Sequence, residues 1–225
     1  MFVPLVSFGQ TKEDFFNNGK SKDSLKDYYG AIADYTKAIE INPDFGTAYN
    51  NRGISKRKLN DYYGSIADFT KAIEINPDFA IAYSDRGFSK YSLKDYYGAI
   101  ADYTKFTELD PDNPVAFFLR GDAKDKIDDF KGAIADYTKV IELDPDYADA
   151  YDNRGYSKSR LKDYYGAIAD YTKFIEINPD FDTAYSKRGI SKMILGDLNG
   201  ACNDWRKAAS LGDEEAAQWV RDECN

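Results

Sequence analysis

The stretch Lys26–Lys37, KDYYGAIADYTK, returns letter for letter at residues 94–105 and 162–173, and nearly intact as NDYYGSIADFTK at residues 60–71. Its GAIADYT centre keeps an interval of 34 residues, and so do the pairs Asn42-Pro43, Asn76-Pro77, Asp110-Pro111, Asp144-Pro145 and Asn178-Pro179. A fixed period of this length marks a solenoid, in which each repeat is one small unit that buries its apolar face on its neighbours. Counting from Lys12 gives units 12–45, 46–79, 80–113, 114–147, 148–181 and 182–215, preceded by residues 1–11 and followed by a remnant, 216–225.

Within a unit the apolar and small residues recur at helical spacing. Tyr49, Gly53 and Lys56 share one face of a first segment, and Ile66, Phe69 and Ile73 share one face of a second, so each unit reads as a pair of helices. Asp27, Asp61, Asp95, Asp129 and Asp163 stand between the two segments, where a carboxylate accepts the free N–H groups of the second helix's first turn. The residue before each proline is pushed out of helical geometry, so Asn42-Pro43 and its counterparts end the second helix. Gly19, Gly53, Gly87, Gly121, Gly155 and Gly189 fall inside the first helix of every unit, where glycine costs about 1 kcal/mol against alanine. Close packing offsets that loss if the partner helix supplies Ala31 and its equivalents, Ser65 in the second unit, with Tyr35 and its equivalents filling the space above glycine. Helices of about thirteen residues are marginal alone. The repeated string is therefore the packing element of a stack, and the expected fold is all-α, six antiparallel helix pairs with a C-terminal capping helix at 216–225.

The 225 residues are 43 % hydrophobic and 16 % aromatic, enough for a substantial core. Acidic residues outnumber basic ones 39 to 30, for a net charge of -9, which sets the chain against polyphosphate and excludes nucleic acid as the expected partner. Basic Lys20, Arg57, Lys58, Arg160 and Lys187 share the first segments of the units with acidic Asp85, Asp122, Asp125, Asp149 and Asp152. No apolar run approaches the roughly 18 residues of a membrane helix, so no membrane insertion is expected. Residues 1–10, MFVPLVSFGQ, are similar to the end of a secretory signal peptide with small residues about a cleavage site, although the basic n-region is missing. The chain is accordingly expected to be exported or periplasmic, with residues 1–11 a signal remnant, the alternatives being a disordered N-terminal tail and a cytoplasmic protein.

Little in the chain speaks for catalysis. Ser55-Lys56-Arg57-Lys58 has the S-x-x-K form of serine acyl-enzymes, but its Ser-Lys pair continues the repeat frame of Ser89-Lys90 and Ser191-Lys192, and the companion motifs are missing. There is no histidine to act as general base or metal ligand. Asp110, Asp112, Asp144, Asp146 and Asp149 lack calcium-loop spacing. No cofactor, metal or catalytic residue is expected.

The order of an aromatic, a glycine, a small residue, a second aromatic and a proline, in the second unit Tyr49, Gly53, Ser65, Phe69 and Pro77, resembles the tetratricopeptide repeat (TPR) family in its bacterial-type tandem form. The resemblance covers Lys12 to about Asn225. It departs where Arg52, Arg86, Arg120, Arg154 and Arg188 precede the glycine in place of the family's usual leucine, and where Lys56 and its counterparts replace its frequent tyrosine. Arginine and lysine stems can cover apolar surface, and the heads of these arginines are expected to bridge to acidic groups on adjacent helices. The resemblance implies a right-handed superhelix whose first helices line a concave groove for peptide segments of partner proteins, and no catalysis. Two other readings stay open: a structural or assembly subunit without a defined peptide ligand, and, more remotely, an enzyme of unrecognised chemistry.

Comparison of the repeats with one another indicates a site. The second helices hardly differ, whereas the first helices differ on the stripe opposite their glycine: Thr47, Asn50, Asn51, Ile54 and Arg57 in one unit become Ile81, Ser84, Asp85, Phe88 and Tyr91 in the next. Stacking does not dictate those positions. Phe88, Tyr91, Phe118 and Leu119 are expected to form an apolar floor, flanked by Asn50, Asn51 and Asn153, whose amides can hold a peptide main chain. Ile54, Asp85, Asp122 and Tyr156 complete the candidate groove. Its aspartates favour a segment with apolar anchors and some positive charge, and the basic clamp some family members use for chaperone C-termini is not reproduced. At the C-terminus, Trp219 is expected to take the aromatic place of Tyr185 one unit earlier. Cys202 and Cys224, the only cysteines, are expected to form a disulfide if the chain is exported and to be free thiols otherwise.

Overall fold

The computed structural model describes residues 10–224, and the signal-like stretch therefore lies almost wholly outside the described residues. The chain divides between Asp110 and Pro111 into two compact units. The first holds α1 (Lys12–Ser24), α2 (Tyr28–Ile41), α3 (Gly46–Lys58), α4 (Tyr62–Ile75), α5 (Ala80–Ser92) and α6 (Tyr96–Leu109). The second holds α7 (Pro114–Asp125), α8 (Phe130–Leu143), α9 (Ala148–Arg160), α10 (Tyr164–Ile177), α11 (Asp182–Ile194), α12 (Leu198–Leu211) and α13 (Glu214–Glu223). No strand occurs among the described residues. In the first unit α1, α3 and α5 each pack on the helix that follows, as α7, α9 and α11 do in the second; within each unit a pair packs on the next, and α13 packs on α12.

The punctuation read from the sequence has direct geometric counterparts. Asp27, Asp61, Asp95, Asp129, Asp163 and also Asp197 cap the second helices, each accepting the backbone N–H of the glycine three residues on at 2.9–3.0 Å. Asn42, Asn76, Asp144 and their counterparts are the residues at which the second helices end. A Cβ placed on Gly53 would lie 2.8 Å from the Phe69 ring, so the first helix must be bare there for the second to approach. The position that sequence reasoning passed over is the one just before each capping aspartate. Lys26, Asn60, Lys94, Asp128 and Lys162 all sit at φ of 59–65°, and in the last pair glycine fills the same place, Gly196 at 85°. A left-handed residue is needed there to reverse the chain into the second helix, and only the sixth repeat uses the residue that adopts it without strain.

The arginines that depart from the family pattern close a ladder. Arg52, Arg86, Arg120, Arg154 and Arg188 each grip an aspartate of the second helix of their own pair, Asp68, Asp102, Asp136, Asp170 and Asp204, with Nη2 to Oδ1 at 2.6–2.7 Å. Lys56, Lys90, Lys124, Lys158 and Lys192 reach the other oxygen of the same carboxylates at 2.7–2.8 Å. These aspartates are 3–5 % exposed. Within the two units the arginine Nη1 also donates to a threonine of the preceding pair, as Arg52 to Thr36, Arg86 to Thr70, Arg154 to Thr138 and Arg188 to Thr172 at 3.0–3.1 Å. The aspartate of GAIADYT is thus the acceptor that makes the arginine and lysine necessary, since a buried carboxylate is tolerated only when paired. In the first pair Asn18 replaces the arginine, and Lys22 alone holds Asp34, at 2.6 Å.

The capping helix begins at Glu214, two residues before the expected boundary of 216, because Asp213 accepts the Ala216 amide at 2.9 Å and so starts the helix itself. Trp219 packs on Trp205 with ring centroids 5.3 Å apart. Cys202 and Cys224 are joined by a disulfide that ties α12 to the end of α13.

Candidate functional site

In the first unit the stripe of variable first-helix residues gathers around Phe88. The Phe88 ring is 40 % exposed. The Arg57 guanidinium lies 4.7 Å from its centroid, and Arg57 Nη2 is 3.2 Å from Asp85 Oδ1, so a cation from α3 bridges an aromatic face and a carboxylate of α5. Burial pushes the Asp85 carboxyl above the ordinary range, and the attraction of Arg57 and Lys58 only partly offsets it. Tyr91 is half-buried with its ring edge-on to Tyr96 at 5.2 Å. Ile54 and Asn51 are half-buried, Asn51 beside the Tyr35 hydroxyl. Asn50 is only 4 % exposed and its Oδ1 has no hydrogen-bond partner, so as it stands its amide is not presented to a partner's main chain.

In the second unit the counterpart of Phe88, one aromatic at the same place in its repeat, is Tyr156, 39 % exposed. Arg160 donates to the Tyr156 hydroxyl at 2.6 Å, sits 4.6 Å from the Phe130 centroid and lies 3.5 Å from Asp128. The same combination of exposed aromatic, guanidinium and carboxylate therefore occurs in both units. Phe118 departs from expectation: its ring packs 5.8 Å from Tyr137 and 5.1 Å from Tyr147, against the buried cluster of Ala133, Tyr137, Val140 and Ala150. It is a packing residue of the α7–α9 layer rather than an open anchor. Leu119 and Asp122 are half-buried, and Asn153 is half-buried beside the Tyr137 hydroxyl. Of the four residues assigned to the floor, Phe88 and Tyr91 belong to the first unit, Phe118 and Leu119 to the second.

Sequence comparison missed a recess of about 270 Å³ between α9 and α11, walled by Tyr156, Tyr164, Ile190 and Ile194. Ser159, Tyr171, Lys187 and Ser191 complete its lining; the Tyr171 hydroxyl is hydrogen-bonded to Ser159, whose own hydroxyl donates to the Tyr156 carbonyl at 2.7 Å, and Ser191 donates to the Lys187 carbonyl at 3.0 Å. Lys187 holds Asp152 through both carboxylate oxygens at 2.8 Å. The available signal was the repeat register: Lys187 occupies the place of Asn51, Asp85 and Asn153. The S-x-x-K serine is not poised for chemistry, since Ser55 is fully buried and donates to Asp23 at 2.7 Å. No helix among the described residues is long and apolar enough to cross a membrane.

The comparisons with known proteins agree with this geometry. Sequence profiles described as tetratricopeptide repeat match residues 46–79, and again residues 15–45, 80–113 and 148–181, while one described as TPR repeat matches 126–161. A crystal structure of the MamA protein is similar at 28 % identity and a TM-score of 0.72, covering 76 % of this chain and 94 % of that one. YrrB, described as a TPR protein with an unusual peptide-binding site, aligns at 21 % identity and a TM-score of 0.75 over 84 % of this chain and 97 % of its own. A tetratricopeptide repeat protein of Parabacteroides merdae aligns at 19 % identity and a TM-score of 0.64 over 97 % and 86 %. No curated protein matches the sequence. With more than half of its residues matched by profiles of one repeat, and with that repeat's helix pair and aromatic-on-glycine packing in each repeat, the chain belongs to the tetratricopeptide repeat family.

Proposed function

We propose that the chain is a non-catalytic protein-interaction scaffold that holds extended segments of a partner protein on the variable first-helix face of each of its two units. One observation carries this reading: Phe88 and Tyr156, at the same place in two repeats, leave about two-fifths of their surface exposed where stacking requires no aromatic, and each is accompanied by an arginine. Exposed aromatics with arginine are the composition of binding hot spots. YrrB, whose fold this chain shares, is described as having a peptide-binding site, which supports a peptide as the ligand class. The aspartates beside the aromatics, Asp85 and Asp128, favour a protein segment over polyphosphate. The Cys202–Cys224 bond is of the kind that persists in oxidising compartments, which supports reading the chain as exported.

The test is calorimetry of the whole chain against the partner that co-purifies with it. Phe88→Ala with Tyr156→Ala should weaken binding by about 2 kcal/mol or more, the loss expected when central aromatic anchors are truncated. A circular dichroism spectrum unchanged in the double variant establishes that it is folded. Unchanged affinity in that folded variant removes this face as the site and favours an assembly subunit that binds elsewhere.

A further inference from the structure

We infer that the Cys202–Cys224 bond is a redox latch: opened by a dithiol reductant, it lets α13 leave α12 and so removes one wall of a recess on the variable face of the second unit. The release of α13 stands on its own, and its meaning for binding rests on the reading of that face as a peptide-binding surface.

Counted from the start of its helix, α13 takes the place of one more first helix. Ala216, third in α13 and buried, matches Ala184, third in α11. Trp219 then stands sixth, at the place of Asn51, Asn153 and Lys187 on the variable stripe, rather than at that of Tyr185. From there it walls a recess of about 260 Å³ together with Ile190, Met193 and Trp205. Ile190 and Met193 are stripe residues themselves, in the register of Ile54 and Arg57. Docking of α13 thus completes this part of the face.

The first helices within the stack are held without covalent help. Arg52, Arg86, Arg154 and Arg188, each seventh in its helix, donate back to a threonine of the preceding pair. In α13 the seventh residue is Val220, and in α12 the threonine's place is taken by Arg206. That fastening is missing, and a helix of ten residues is marginal alone. A sulfur bridge stands in for it, from Cys202 at the place that isoleucine holds in every earlier second helix.

The bridge is open to a reagent. A recess of about 440 Å³ meets both cysteines, with Asn199, Asn203, Arg206 and Glu223 around them. Cys202 is 5 % exposed and Cys224 half-buried, so attack falls on Cys224. A thiolate of the dithiol bonds to Cys224 Sγ, the S–S bond breaks, and its electron pair leaves on Cys202 Sγ, which takes a proton. The second thiol of the reductant gives up its proton and displaces Cys224 from the mixed disulfide. The protein gains two thiols and the reductant closes its own disulfide. Arg206, whose Nη2 donates to the Cys224 carbonyl at 3.1 Å, supplies positive charge that favours the attacking and the leaving thiolate. Loss of the bridge shifts the docking equilibrium of α13 by on the order of a hundredfold. In an oxidising compartment the bond persists and the face stays complete.

The only two tryptophans of the chain, Trp205 and Trp219, lie across this interface with ring centroids 5.3 Å apart, so tryptophan emission reports on α13. The full chain is treated with dithiothreitol in native buffer, its thiols are counted by alkylation and mass spectrometry, and emission and amide exchange are followed. Reduction should go to completion without denaturant, move the emission to longer wavelength and speed exchange in α13 at least about tenfold while α7 to α10 keep their protection. Reoxidation should reverse all of this. Cys202→Ser with Cys224→Ser should show the emission of the reduced chain with or without the reagent, and the reduced parent chain carries the test should that variant not fold. Unchanged emission in the fully reduced chain overturns the latch, since α13 then stays docked without its bond. Reduction that proceeds only in denaturant, or loss of protection throughout α7 to α13, overturns it as well. None of these outcomes touches the reading of the variable face, which the Phe88 and Tyr156 variants decide separately.

Discussion

Asp85 shows what a single charge does on the variable face. Its partner Arg57 is 3.2 Å away, yet burial raises the Asp85 carboxyl further than the arginine lowers it. The folded chain therefore holds this proton at a higher pH than the unfolded chain, whose aspartates titrate near pH 3.9. The sign follows: between that value and the raised one the native state binds more protons, so stability falls as pH rises through the interval. Ionised Asp85 costs stability at neutral pH. Asp85→Asn should be at least as stable as the parent at pH 7 in urea unfolding, with the difference closing as pH is lowered toward 3. A parent clearly more stable at pH 7 would show that the Arg57 pair outweighs desolvation. Here the pair holds a guanidinium 4.7 Å from the exposed face of Phe88.

The ladder of arginine, aspartate and lysine acts between helices. Asp102 on α6 accepts Arg86 through both its oxygens, at 2.7 and 3.0 Å, and Lys90 at 2.8 Å, all from α5, and Arg86 reaches back to Thr70 on α4. Removing the arginine leaves a carboxylate 3 % exposed with half its partners, and a broken buried pair costs about 3–5 kcal/mol. Arg86→Ala should lose about that much in denaturant unfolding. Arg86→Leu with Lys90→Met and Asp102→Leu, which removes charge and partner together, should recover most of it. A single variant that loses less than about 1 kcal/mol would place the ladder among solvated surface pairs. At this scale the sequence was most readable. The period, the capping aspartates and the aromatic over Gly53 follow from local spacing and recur six times over. The arginines could be assigned only to an acidic partner in general, because which aspartate faces them depends on how two helices are rotated. The left-handed residues Lys26, Lys94 and Lys162 carry no compositional mark of their φ, which only Asn60, Asp128 and Gly196 in the same register betray.

For the molecule as a whole, the readable part was what repeats and the hidden part was what does not. Tyr171 and Ser191 are ordinary repeat residues, and only the packing around Ser159 shows that they line a recess. Phe118 looked like an open anchor because its place in the register is variable, yet its ring turns onto Tyr137 and Tyr147. A stack also needs an end, and the C-terminal end departs from the pattern: α13 buries Ala216 and lays Trp219 on Trp205, and the disulfide fastens its last turn to Cys202. Helices of ten residues are not stable alone, so α13 depends on that docking. The bond closes a loop across a sequence separation of 22 residues, for which the chain-entropy estimate is about 3 kcal/mol. Cys202→Ser with Cys224→Ser should lower the thermal midpoint. Because each layer of a solenoid contacts only its neighbours, the loss should begin locally, with amide exchange of α13 and α12 accelerating before that of α1 to α6. Uniform acceleration along the chain would mean that the molecule unfolds as one cooperative body, and that the staple protects all of it rather than its last layer.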